Sequence, residues 1–206
     1  MVYPIKLADV FEGLHLYVPV PELLKPTYDQ LLAVDKSIRF PFWAKIWPSS
    51  IAMTSFLQSE PDLIQSKKVL ELGAGIGLPS FFIAGSCSEM IISDHEADAV
   101  ELIEMNIKSL GLNHVKAKCL DWNNFPEDLK ADTILLSDIN YDPEQFQPLL
   151  KLIHQFVSNG ATVVIATPER ITATPFATEL QPLVKRSVVT TIQQIDIHML
   201  VLDNNG

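Results

Sequence analysis

Short apolar runs recur along the chain from residue 68 onward, and their lengths suit strands rather than helices. They fall at Val69–Leu72, Met90–Ser93, Val115–Leu120, Thr133–Ser137 and Ala161–Ala166, with helix-length segments between most of them. Strands that alternate with helices predict a parallel sheet with crossover helices on both faces. The clearest helix runs from Glu96 to Leu110, where Val100, Ile103, Ile107 and Leu110 form one stripe and Gly111 can end it. A second is expected over Pro148 to Val157, stopped by Asn159-Gly160 and preceded by an ordered loop from Asn140 to Gln147. After a loop or helix around Thr172 to Leu183, two β-rich runs, Val184–Gln193 and Asp196–Leu202, are separated by Gln194-Ile195. That spacing predicts an antiparallel pair at the far edge of the sheet. The expected fold is α/β: a Rossmann-like, doubly wound sheet of about seven strands, mostly parallel, with the antiparallel pair at its C-terminal edge.

Residues 1–45 carry weaker patterning. Leu14, Leu16, Val18 and Val20 alternate as in a short strand, which Pro19 and Pro21 would confine to an edge. Arg39 to Pro48 is rich in aromatic residues, and Ser49 to Leu57 reads as a helix with Pro48 in its first turn, where a missing N–H costs nothing. On residue type alone Trp43 and Trp47 suit core packing. With 206 residues and no repeat or linker, the chain is expected to form one structural domain, with 1–45 an extension packed on a 46–206 core.

The densest chemistry lies between Lys67 and Pro79. A strand-type run ends in Glu71-Leu72, then Gly73, Gly75 and Gly77 fall at alternate positions before an apolar segment, Phe81 to Ala84, that can open a helix. Glycine adopts positive φ and lets a backbone approach a ligand with no Cβ between, so three in five residues point to a ligand loop rather than a turn. A dinucleotide fingerprint would place its third glycine one residue later. Glu71 would repel a pyrophosphate and suits a cationic ligand instead.

Further candidates sit at strand ends. Asp94 closes the second run, where an acid can accept hydrogen bonds from both hydroxyls of a ribose; its alternative is to cap the following helix. His95, beside it, has no partner visible in the sequence. Asp121-Trp122 follows the third run and offers an acceptor and a flat apolar face, as an adenine requires. The fourth run ends in Ser137-Asp138-Ile139-Asn140-Tyr141, where Asp138 and Tyr141 can hold an acceptor nitrogen.

The glycine pattern with Glu71 resembles the first motif of the class I, seven-strand S-adenosylmethionine (SAM) methyltransferases. Joined to Ile46-Trp47-Pro48-Ser49-Ser50, Asp94, Leu120-Asp121-Trp122 and the D-x-x-Y motif Asp138-Ile139-Asn140-Tyr141, it resembles the small protein-lysine methyltransferases of methyltransferase family 16 over about Trp43 to Glu169. The resemblance implies SAM as cofactor, S-adenosylhomocysteine as its product and no metal. It implies that Trp47 packs on the methionine part and that Glu71, Gly73, Ala74, Gly75 and Gly77 surround the cofactor's amino-acid end. Asp94, with His95 beside it, would take the ribose, Asp121 and Trp122 the adenine, and Ser137 would lie near the methyl; Asp138 and Tyr141 would face the acceptor as catalytic residues. Asn123 departs from the pattern, since relatives commonly carry glycine after the D-W pair.

Charge and composition narrow the partners. Lys plus Arg total 15 against 25 for Asp plus Glu, a formal charge of -10. That balance disfavours nucleic acid and anionic membranes as non-specific partners. No apolar run reaches membrane-spanning length, no basic leader precedes an apolar core, and Cys87 and Cys119 form no paired motif. A reduced, cytoplasmic monomer is the expectation. Three functional readings stay open: a protein-lysine methyltransferase, a small-molecule N-methyltransferase on the same fold, and a SAM-binding module without catalysis.

Overall fold

The computed structural model describes residues 2–140, 142–169 and 174–204. Seven strands form one sheet in the order β5-β4-β3-β6-β7-β9-β8: β3 (Lys68–Leu72), β4 (Glu89–Asp94), β5 (Val115–Cys119), β6 (Thr133–Ser137), β7 (Thr162–Pro168), β8 (Val184–Ile192) and β9 (Ile195–Leu202). The first five run parallel; β9 is antiparallel to both β7 and β8, as expected for the C-terminal pair. The turn between them is Gln193-Gln194, both at positive φ, rather than Gln194-Ile195, because Ile195 already pairs with Ile192. Order reverses between β3 and β6, and ligands of open α/β sheets bind above such a switch point.

Burial explains why the central strands read as unbroken apolar runs. Ile134, Leu135 and Leu136 of β6 and Val163 to Ala166 of β7 are fully buried, since the sheet is covered on both faces. One face packs Val69, Ile92 and Val164 against α2 (Pro48–Ser59), α3 (Leu78–Ile83) and α4 (Ala97–Leu110). The other packs Leu70, Leu72 and Ile165 against α5 (Phe146–Ser158) and α6 (Thr174–Leu180). Strand alternation therefore turns Glu71 to the same side as Val69, beneath α3.

Two helix expectations change. The buried face of α4 is Ala99, Leu102, Ile103 and Asn106, so of the expected stripe only Ile103 lies at its centre, and Leu110 is exposed. The helix turns because Asn106 serves a second partner. Its Oδ1 accepts the Tyr17 amide at 2.7 Å and its Nδ2 donates to the Tyr17 carbonyl at 3.0 Å. Helix α5 begins at Phe146 rather than after a loop running to Gln147, because Pro148 falls within its first turn, where amides lack intrahelical acceptors. The residues before it form a 3₁₀ turn, 143–145, capped by Asp142, whose Oδ1 accepts the Glu144 amide. The expected loop or helix around Thr172 to Leu183 is α6 and a short 3₁₀ turn, its first two residues lying outside the described ones.

Residues 5–34 hold two unforeseen elements. Strand β1 (Ile5–Phe11) pairs antiparallel with β2 (Leu14–Pro19), the strand the alternation indicated, through a Glu12-Gly13 turn at positive φ. Helix α1 (Pro21–Val34) follows, with Pro26 inside it. Leu16, Val18 and Leu24 bury against the same core as α2 and α4.

Candidate active site

A cavity of about 390 Å³ opens above the carboxyl ends of β3, β4 and β6. That is within the usual range for a small-molecule site. Its floor is the glycine loop. Gly73, Gly75 and Gly77 have φ of 63°, 55° and 78°, a region costly for residues with a side chain. A Cβ on Gly75 would stand 2.8 Å from the Trp43 carbonyl oxygen, and one on Gly73 would stand 3.2 Å from Ile139. The loop is thus pressed between the segment above it and the end of β6.

Asp94 holds the loop from the side. Its Oδ2 accepts the Gly75 amide at 2.8 Å and its Oδ1 accepts the Glu96 amide at 3.0 Å. Asp94 therefore closes a turn ahead of α4 rather than capping the helix, whose N-cap is Glu96, with no side-chain cap hydrogen bond. Oδ2 keeps a further lone pair for a ligand hydroxyl, while Oδ1 also faces His95. His95 does have partners: Nδ1 lies 3.4 Å from Asp94 and Nε2 3.3 Å from Glu96. The Asp94 carboxylate, with Glu96 and Asp121 nearby, raises its pKa above the ordinary histidine value against the opposing effect of burial. Trp122 faces the cavity beside His95, ring centroids 6.5 Å apart, and spends its Nε1–H on Gln145 Oε1 at 2.8 Å.

The roof is residues 39–50. Trp43 is both buried core and cavity wall, while Trp47 is fixed by its Nε1–H, which donates to the Phe42 carbonyl at 3.0 Å. Asp138 enters from the end of β6 with φ 57°, its amide donating to Ala166 O at 2.8 Å. Fully buried Ser49, in the first turn of α2, points its hydroxyl at Asp138 Oδ2 from 3.4 Å.

The structure brings Trp47, Gly73, Ala74, Gly75, Gly77, Asp94, His95, Trp122, Ser137 and Asp138 to one cavity. Glu71 and Asp121 are not on its wall. Asp121 caps the 3₁₀ turn 122–124 through the Asn123 amide and side chain, which also hold its carboxyl below the usual range. Glu71 is 1% exposed. Burial raises its pKa to about 7, opposed by the nearby Ser80 and assisted by Asp94, and neither its Oε2 nor the Ser80 hydroxyl closes a hydrogen bond. Tyr141 lies outside the described residues. Sequence reasoning missed Arg39, Phe40, Phe42, Lys45, Glu96 and Asp142 as wall residues; only the density of aromatic residues in 39–48 could have signalled the roof.

The family model described as lysine methyltransferase, methyltransferase family 16, matches residues 28–181. The chain belongs to this family. Among curated members it is 26% identical to human histone-arginine methyltransferase METTL23, over 65% of this chain and 74% of that one. It is 33% identical to the rat electron transfer flavoprotein beta subunit lysine methyltransferase, over 63% of this chain and 51% of that one. The chain spans about half the length of several curated relatives it matches. A crystal structure of the N-methyltransferase NodS from Bradyrhizobium japonicum WM9 with S-adenosylhomocysteine superposes with a TM-score of 0.66 at 16% identity, covering 86% of this chain and 98% of NodS. That likeness shows the same Rossmann-like methyltransferase fold.

Proposed function

We propose that this protein is a SAM-dependent N-methyltransferase whose acceptor is a lysine side chain of another protein. The observation that carries the reading is the position of Asp138, an acid on the wall of the same cavity as the glycine loop, at the switch point of the sheet. The residues present fit the cofactor: the loop leaves no room for side chains, Asp94 has acceptor capacity for ribose hydroxyls, and Trp122 offers a flat face for adenine. Trp47 closes the methionine end by the family pattern. Glu71, buried off the wall, supports the loop from beneath rather than touching the ligand. His95 and Ser137 complete the rim, and Asp121 acts through the turn that presents Trp122.

When bound, SAM supplies an electrophilic methyl group with its own leaving group, so the chain has chiefly to align and desolvate the acceptor. A lysine amine must lose a proton before attack, and an apolar approach lowers its pKa. Asp138 accepts a hydrogen bond from the amine and aims its lone pair. The aromatic roof of Phe40, Phe42 and Trp47 narrows the approach, with Tyr141 assigned to the acceptor side by its motif. The cytoplasm is the proposed compartment: the two cysteines form no disulfide, and no helix among the described residues is long and apolar enough to cross a membrane.

Incubation with methyl-labelled SAM and a protein extract tests the reading. Label on lysine of a discrete protein, lost in Asp138→Ala while SAM affinity persists, is the expected result; label confined to small molecules would overturn it. Likeness to a histone-arginine enzyme favours one second reading, a guanidinium acceptor, which mass spectrometry of the labelled residue would reveal.

A further inference from the structure

The cavity wall is divided by charge. Asp94, Glu96, Asp138 and Asp142 stand at the strand ends, whereas the lysine and arginine side chains on the wall, Lys45 and Arg39, both belong to the roof. The cofactor is itself divided: it carries a positive sulfonium and ammonium and one negative α-carboxylate. Placed against the strand-end acids, that carboxylate would meet like charge in a partly desolvated space. On the SAM reading, Trp122 after β5 would take the adenine end and Asp94 after β4 the ribose. The amino-acid tail would then fall to the residues past β3 and β6 and to the roof, residues 39–50.

Of the two roof cations, Lys45 is the one the structure holds in place. Its backbone is extended, at φ -118° and ψ 147°, which puts its side chain on the same side as that of Trp47 two residues on. Its Nζ lies 4.9 Å from the centre of the Trp47 ring, within cation–π range, and that ring is pinned through the Phe42 carbonyl. No carboxylate pairs with Lys45 among the described residues, although the chain carries 25 acids. Arg39 and Lys45 are both exposed, but no ring or carboxylate among the described residues holds Arg39.

We propose that Lys45 anchors the α-carboxylate of the cofactor and so selects ligands that carry a complete amino-acid tail. The inference rests on the SAM reading above. It makes the roof part of cofactor recognition as well as of the acceptor's path, with Trp47 steering the ammonium toward the tail.

Calorimetric binding to three ligands tests it: S-adenosylhomocysteine, its decarboxylated analogue S-adenosyl-3-thiopropylamine, and 5′-methylthioadenosine, which lacks the whole tail. Wild-type protein should prefer the first over the second by about tenfold, the scale of one charge-assisted hydrogen bond. Lys45→Met, which keeps the apolar stem, should lose that preference while binding 5′-methylthioadenosine as wild type does, and Lys45→Arg should keep it. A Lys45→Met protein with the full preference, or one that loses all three ligands equally, would overturn the anchor alone. Wild-type protein that binds none of the three would overturn the cofactor reading itself.

Discussion

Asp94 Oδ2 accepts the amide of Gly75 at 2.8 Å, joining the end of β4 to the loop that follows β3. One side chain thereby sets the conformation of the loop and presents the remaining lone pair of Oδ2 to the cavity. Asp94→Ala should lower affinity for S-adenosylhomocysteine at least tenfold and also loosen the loop, because a direct ligand contact and a backbone anchor are lost together. Amide exchange at Gly75, measured by NMR, should accelerate in this variant; unchanged protection would separate the two roles.

His95 reports on the same carboxylate. Its pKa is raised chiefly by Asp94, so the stability it contributes is full below the ordinary histidine value and is lost as pH rises through the higher folded value. An NMR titration should show that raised value in wild-type protein and a fall toward about 6.5 in Asp94→Asn.

Glu71 behaves in the opposite sense. An acid whose folded pKa is raised from 4.5 to about 7 stays protonated in the fold while the unfolded chain has released its proton. Ligand-free stability should therefore decline as pH rises from about 4.5 to about 7 and level off above that, by roughly 3 kcal/mol in total. Glu71→Gln should remove most of this slope in urea unfolding measured at pH 5 and pH 8.

Gly75→Ala combines positive φ with a Cβ 2.8 Å from the Trp43 carbonyl oxygen. A loss of about 1–3 kcal/mol is expected, read as a lowered melting temperature with weakened S-adenosylhomocysteine binding. Gly85→Ala is the control: a Cβ there meets nothing within 4 Å, and both readouts should stay as in wild type.

Asn106→Leu should cost about 1–3 kcal/mol, since it leaves the amide and carbonyl of Tyr17 without their partner. Hydrogen exchange should rise across β2 while the central strands keep their protection.

The parallel core was legible because its central strands are buried on both faces, so apolar runs such as Thr133–Ser137 stand out without knowledge of their neighbours. The wall residues on strand ends and on the glycine loop were legible for a related reason: backbone geometry demands glycine there, and strand ends meet at one place in any doubly wound sheet. The roof was not, because Phe40, Phe42 and Lys45 acquire their positions from contacts with one another and with Trp47, with no periodicity to announce them. Helix α1 was hidden because Pro21 read as the limit of an edge strand although it opens the helix, and Pro26 is tolerated within it. The stripe of α4 was misread since sequence could not show that Asn106 buries itself to bind the hairpin.

The contact between Gly75 and the Trp43 carbonyl has a consequence for redesign. The floor and the roof of the cavity touch, so the roof cannot be exchanged as a free cassette when new acceptors are sought. Variation that re-aims the enzyme has room at the outward-facing side chains of residues 36–42. The main chain at Trp43 is the hinge pin that such libraries should leave alone.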